Sequence, residues 1–280
     1  MPAPRNYQRE ISRILKNINQ LDKNTAREVL SDLRQVKGSV LEMLKDTKRF
    51  EPRYLNAMLS EIDDKIDFFT SRMNRTIVDS EKEMYKHNDR MAKTFIGAAG
   101  VSISVPRLSN AVLIANTKLT GEMISNMAVD MRRDIARSLR RSIVAGEDTY
   151  QAAGKLDGII GTSRNTGYMN RADLIARQEI GRTYSEARQA TDELTAENIP
   201  DMQKQWWTAQ DERVRPMYKG KIYPSREMWD HAAAHGQVVG VNEPFIVSGE
   251  ELMFPRDSNG SLANILGCRC NSIPYREEWG

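Results

Sequence analysis

Cysteine is all but absent from this chain: Cys268 and Cys270, one residue apart, are the two it has in 280 residues. That excludes the cross-linked framework of a small secreted protein. Long apolar runs are missing too. No stretch reaches the roughly 18 apolar residues of a membrane-span candidate, and Met1 to Glu10 is polar, without the apolar core of a signal peptide. No membrane span is therefore expected. The chain is read as made and kept in a reducing cytoplasm, or packed into a particle assembled there. Aromatic residues are only 7% against 28% charged, a balance that favours helices with polar faces over a compact all-β fold. An excess of one charge sign is lacking as well. The 41 basic and 38 acidic residues leave +3, too little for a dedicated nucleic-acid binder, although a local basic face is compatible with it.

What is present in the first half is helical periodicity. Ile11, Ile14, Leu15 and Ile18 follow the i, i+3, i+4, i+7 pattern of a one-faced helix. Val29, Leu33, Val36, Val40 and Met43 then alternate spacings of four and three, a heptad seam. Glu51-Pro52 breaks it, because proline lacks the N–H donor and restricts the residue before it. The seam resumes as Leu55, Leu59, Ile62, Ile66, Phe69 and Met73. Two seams joined by a proline turn predict an antiparallel helical hairpin. It either packs on itself within a bundle or serves as an arm that docks on a partner.

Gly97 to Pro106 reads as a connection, and a long helix is expected from about Leu108 to Ala145. Gly146 suits its C-terminal cap, and Asp148 or Thr149 the N-cap of the next short helix. Arg132, Arg133, Arg137, Arg140 and Arg141 crowd the end of the long helix. They form either a solvated face favoured by the helix dipole or a contact for DNA phosphates or an acidic partner. Gly158 to Gly167 is a loop rich in small residues that lacks the ending of a phosphate-binding Walker motif. A helix follows from Asn170 to about Asn198 and ends before Pro200. Beyond it, short apolar runs such as Trp206-Trp207, Val238-Val239 and Phe245-Ile246-Val247 alternate with Gly, Pro and Asn, the texture of short strands and turns. The expected fold class is α+β: a long-helix N-terminal region followed by a small α+β C-terminal module. The boundaries read as residues 1–99 for a helical hairpin or arm, 100–168 for a helical connector and 169–280 for the module.

Four segments of the module carry recognisable chemistry. They are IARQEIGRTYSEAR (175–188), WWTAQDERVRP (206–216), HAAAHGQVVGVNEPFIVSGEELMFPRD (231–257) and NILGCRCNSIPY (264–275). Together they resemble the phage Mu F-like head morphogenesis, or minor head protein, family over roughly residues 170–275. Arg177 and Glu179 match the family's helical element, with Gln178 where threonine is usual. Trp207, Asp211, Arg213, Val214 and Arg215 match the tryptophan-led strand and its Asp-x-Arg-Val-Arg run. His231 and Gly236 match the His and Gly that follow, Glu243, Pro244 and Phe245 the turn, and Cys268, Arg269 and Cys270 the ending. One departure is that Met217 to Asp230 separates the arginine run from His231, which reads as an insertion; Tyr218 stands in the histidine's place in the alternative alignment.

Read from the residues alone, the DERVRP run would put Arg213 and Arg215 on one side of an extended segment. Arg177 and Glu179, two apart on a helix, do not face each other. Glu179 or Asp211 is expected to clamp Arg213 or Arg215 from another element. His231 and His235 stand i, i+4 and would share a helical face. With Cys268 and Cys270 they could close a tetrahedral zinc site; the alternatives are buried free thiols or a strained disulfide. Trp206 and Trp207 would point to opposite faces of a strand.

The resemblance implies a minor capsid component that associates with the portal, and with the major capsid protein or scaffold, in the phage head near the portal vertex. It would act in assembly, packaging or delivery of double-stranded DNA. No nucleophile–base pair or glutamate-bearing metal motif stands out, so the chain is expected not to be an enzyme and to need no cofactor, zinc being possible. A metal-dependent nuclease and a DNA-binding head protein are the alternatives. Some members of the family are fused to toxin domains such as ADP-ribosyltransferases.

Overall fold

The computed structural model describes residues 3–48, 50–106, 108, 110–162, 167–218, 221–222 and 229–279. Five long or medium helices precede the strands: α1 (Arg5–Asp46), α2 (Leu55–Ala98), α3 (Asn110–Val144), α4 (Thr149–Ile160) and α5 (Tyr168–Ala196). After them come β1 (Met202–Trp207), β2 (Met217–Tyr218), β3 (Lys221–Ile222), β4 (Val238–Gly240), β5 (Phe245–Val247), β6 (Glu250–Leu252), the one-turn α6 (Leu262–Ile265) and β7 (Asn271–Arg276). The fold class is α+β, as expected from the sequence.

Two compact units form, each from separated stretches of sequence. One gathers Met1–Asp22, Ser80–Asn116 and Gln178–Gly280; the other gathers Lys23–Asp79 and Thr117–Arg177. Among the described residues, the regular elements of the second unit are all helices. Its core takes Val29, Leu33, Val36, Val40 and Leu44 from α1 and Met58, Ile62, Ile66, Phe69 and Met73 from α2, all buried. The first seam thus ends on Leu44, with Met43 half-buried beside it. Arg72 meets Asp32 at 2.9 Å and Thr76 meets Glu28 at 3.1 Å. Partners that advance by four on one helix and recede by four on the other define an antiparallel hairpin, and Pro52 opens the short 3₁₀ turn between its arms. Gly146, at φ +69°, ends α3 where an L-residue would be strained. Asp148 caps α4 in a reciprocal capping box with Gln151.

The first unit holds the sheet. Its order is β4-β1-β7, antiparallel throughout, and β7 pairs with the whole of β1 from Met202↔Arg276 to Trp207↔Asn271. Alternation along β1 buries Met202, Lys204 and Trp206 and leaves Gln203, Gln205 and Trp207 half-buried. Ile11, Ile14, Leu15 and Ile18 are buried here, as are Met84, Met91, Phe95 and Tyr184. Tyr7 packs on Trp279 with ring centroids 4.8 Å apart, and its hydroxyl donates to the Pro274 carbonyl of β7.

The loop expected from Gly158 begins inside α4, which runs to Ile160, and two further local expectations fail. Asp211–Pro216 is a run of turns, not an extended strand, and His231–Gly236 is a string of turns, not a helix. In the first, Asp211 is tied to the Arg213 N–H and curls the chain. In the second, turn bonds from His235 to Ala232 and from Gln237 to Ala234 replace the helical ladder. The core of the Gly158–Gly167 loop, residues 163–166, and most of the Met217–Asp230 insertion, residues 219–220 and 223–228, lie outside the described residues.

Candidate metal centre

The pairing of β1 with β7 determines where the two cysteines fall. Asn271 sits opposite Trp207, so Cys270, one residue earlier, reaches the end of β1 beside Trp206. Cys268, two residues back, turns to the same side as Cys270. Both thiols are buried and unbridged, and Arg269 points the other way to Asp211. The turns at 231–236 are pinned to β1 by two backbone bonds, Gly236 N–H to Trp206 and Trp206 N–H to Gln237. They carry His231 inward against the Trp206 ring, 6.0 Å between centroids and near edge-on.

The result is a cluster of three donors in an apolar shell of Trp206, Ala234, Phe245, Val247 and Leu252. His231 Nδ1 lies 3.5 Å from Cys268 Sγ and 3.5 Å from Cys270 Sγ. The three ligand atoms all fall within 4.8 Å of one another, and the residues are only 2–3% exposed. This group could hold a metal ion. Two sulfurs and an imidazole suit a soft or borderline divalent ion over a hard one.

The surroundings favour one negative sulfur, that of Cys268, and disfavour a second. The Cys270 N–H donates to Cys268 Sγ at 3.4 Å. Cys268 is held well below the ordinary thiol range by its hydrogen bond with Cys270, against the opposing effect of burial, and His231 adds to this. Burial pushes Cys270 up, and Arg256 and the Trp206 indole act in the opposite sense. Trp206 Nε1 and Arg256 Nε meet no nitrogen or oxygen partner among the described residues. Arg256 is buried over the helix: its Nη1 donates to the carbonyls of Gly181 and Cys270, each at 3.3 Å. Gly181 is required for this, because a Cβ there would lie 2.3 Å from the guanidinium carbon.

The fourth zinc ligand anticipated from the sequence is not in the cluster. His235 Nδ1 instead accepts from the Thr208 N–H at 3.2 Å, its Nε2 meets Gln210, and its ring stands edge-on to Trp207. The i, i+4 spacing aligns two histidines only on a helix, and the turns send them apart. The anticipated clamp is also rearranged. Asp211 does meet Arg213, at 3.3 Å, but its shorter partner is Arg269 at 2.7 Å. Burial alone would raise the Asp211 carboxyl; hydrogen bonds from Arg269 and the Arg213 N–H outweigh it and hold it at about 2. Glu179 pairs within its own helix, with Arg182 at 2.7 Å, and Arg182 goes on to Glu186 and Asn116. Arg177 takes Asp173. Arg215 donates to the carbonyls of Ala263, Asn264 and Leu266, tying the turn to the end of α6. Gln178 accepts from the Gly267 N–H at 3.3 Å and so fastens the segment that leads into Cys268.

In the helical unit, Arg132 pairs with Asp63 and Asp67, Arg133 with Asp130 and Asp134, and Arg137 with Asp134 at 3.8 Å. Arg140 and Arg141 are exposed. Arg137 and Arg141 line a cleft of about 490 Å³ with Lys155, Asp134, Ser138 and Ile159. The sequence offered no role for Asn264, Arg256, Gly181 or Lys204. Asn264, Arg256 and Gly181 do lie inside the motif segments, which was their only signal.

No model of a protein family matches the chain, and no solved structure does. Among curated proteins it is similar to an NAD(+)–arginine ADP-ribosyltransferase of Enterococcus faecalis, with 23% identity over 277 residues. The match takes in 95% of this chain but 54% of that protein, so the chain spans about half the length of its relative. This overturns the expectation that the chain is not an enzyme, because nearly all of it aligns with a protein named as one.

Proposed function

We propose that this chain is a minor head component of a tailed double-stranded DNA phage, located near the portal vertex and acting in head assembly, DNA packaging or DNA delivery. The observation that carries the reading is the convergence of the motif residues. Asp211, Arg213, Phe245 and the Cys268–Cys270 ending, through which the chain resembles the Mu F-like family, meet around one buried cluster with His231, while the motif's Trp207 packs on His235. The long helices supply surface for the portal and for the major capsid protein or scaffold. The exposed Arg140 and Arg141, beside Arg137, offer a contact for DNA or an acidic partner.

The transferase relative lends this reading no support, since its name speaks of a transferase and not of a head component. The 95% coverage favours a second reading, in which this chain itself takes part in moving ADP-ribose from NAD to arginine.

Within the proposal, His231, Cys268 and Cys270 hold zinc. Two ligand atoms on a tetrahedral zinc ion, with Zn–S about 2.3 Å and Zn–N about 2.0–2.1 Å, stand roughly 3.5 Å apart. That is the separation between His231 Nδ1 and each sulfur. The ion would staple the turns at 231–236 to the segment leading into β7.

Two experiments test these readings. Heads assembled from portal, scaffold and major capsid protein together with this chain should retain it in few copies after purification; its absence from them would remove the first reading. Incubation of the chain with labelled NAD and an arginine substrate decides the second. Transfer of label supports it, and no transfer removes it.

A further inference from the structure

Asn264 sits behind His231, and its side-chain amide has one chemically permitted orientation. Its Nδ2 faces the Val247 carbonyl at 3.0 Å and the Glu250 carboxylate at 3.2 Å, both of which accept only. Turning the amide over would set its oxygen against those two acceptors. Oδ1 therefore faces His231 Nε2, 2.7 Å away, and the imidazole must carry its proton on Nε2 to donate there. In the neutral ring that leaves Nδ1 as the bare lone pair, and Nδ1 is the atom that lies 3.5 Å from both sulfurs.

We infer that Asn264 is a positioning residue for the metal: with the β5–β6 hairpin behind it, it fixes the His231 tautomer that can ligate. The inference rests on the metal reading above and names the residues that tune it. Each part of the relay is itself held. Val247 and Glu250 flank the two-residue turn Ser248-Gly249, whose positive φ angles of 54° and 79° set both acceptors on one side of the hairpin. Glu250 also accepts from the Ser261 N–H at 2.8 Å, and the Ser261 hydroxyl caps α6 by accepting from the Asn264 N–H. Asn264 is fully buried, so water does not compete for His231 Nε2. Partners behind a ligating histidine commonly alter metal affinity 10–100-fold, and here that partner is an amide locked by two acceptors.

The test uses the whole chain, whose three histidines keep the spectra simple. Cobalt(II) titration should give thiolate-to-metal charge-transfer bands that zinc displaces. Asn264→Leu should weaken zinc binding on the order of 10–100-fold while leaving the bands at saturation unchanged. Nitrogen-detected NMR of the metal-stripped wild type, which needs no variant to fold, at a pH where the ring is neutral should show His231 protonated on Nε2 and bare on Nδ1. Wild type without cobalt bands would overturn the metal reading, and this inference with it. Metal binding with a proton on Nδ1 of the stripped protein, or with Asn264→Leu within two-fold of wild type, would overturn the role of Asn264 alone.

Discussion

Lys204 is the one lysine on the inner face of β1 and is fully buried. Its ammonium donates to Gln189 Oε1 at 3.0 Å and to the Met253 carbonyl at 2.7 Å, 5.1 Å from the Phe245 ring centroid. Burial lowers its pKa from 10.5 to about 8, against the opposing pull of Asp192 and other carboxylates. Because the folded value lies below the unfolded one, the unfolded chain binds more protons between about pH 8 and 10.5. Stability should therefore rise through that window, by on the order of 2 kcal/mol after allowance for solvent screening. Urea unfolding from pH 7 to 10 should show the rise in wild type and its loss in Lys204→Met. Arg188 and Asp192 form a second buried feature, an ion pair almost wholly out of solvent. Asp192→Ala strands a buried guanidinium and should cost about 3–5 kcal/mol in the same assay. At this scale the sequence told a good deal about spacing and little about partners. Alternation put Cys268 and Cys270 together and set Trp206 and Trp207 on opposite faces, since both follow from a period of two. The partners of Glu179 and the retreat of His235 depend on which turn the chain takes, which no periodicity encodes.

Elements with a chemical start or stop signal were the most legible. Pro52 separates α1 from α2, Gly146 ends α3 and Asp148 begins α4, each where backbone chemistry demands it. The Asp148 capping box satisfies two otherwise orphaned groups, so Asp148→Ala should cost about 1 kcal/mol, measured as a shift in denaturation midpoint. The strands around the cluster were legible as apolar runs, but β4, β5 and β6 are three residues each and too short to show alternation. The ending formed by Cys268 and Cys270 is expected to be structural. Replacing each thiol by a serine hydroxyl should cost on the order of 1–3 kcal/mol per site. If the cluster holds zinc as proposed, a chelator should lower the melting temperature of the wild type and leave that of Cys268→Ser unmoved, because a site missing one sulfur has little metal to lose.

At the scale of the whole molecule, the interleaved units were not legible at all. A helix pattern says which face is apolar but not which distant segment will cover it, and contacts such as Tyr7 with Trp279 join residues from opposite ends of the numbering. Residues 1–95, which hold the helical hairpin that could serve as a docking arm, are not separable from the rest of the fold. Deleting them would also remove Tyr7, Ile11, Ile14, Met84, Met91 and Phe95 from the core of the unit that holds the cluster. Point changes on exposed helix surface are the sounder probe. Arg140→Glu with Arg141→Glu should leave the melting temperature nearly unchanged, because both are exposed. If the face meets phosphate, the same pair should reduce the salt dependence of DNA binding by about two phosphate contacts.

The joining of residues 3–22 to β7 and Trp279 also sets an order of events during synthesis. The ribosome releases the chain from its N-terminus at about 5–20 residues per second. The segment around Tyr7 therefore waits more than 250 residues for the strand that receives its hydroxyl and the indole that covers its ring. The helical hairpin around Pro52 can form early from neighbouring residues, whereas the unit with the cluster cannot close until Trp279 has left the exit tunnel. Nascent chains stalled before β7 should therefore present an open apolar face to cellular chaperones. Any polypeptide joined beyond Gly280 would emerge just as that face is being covered.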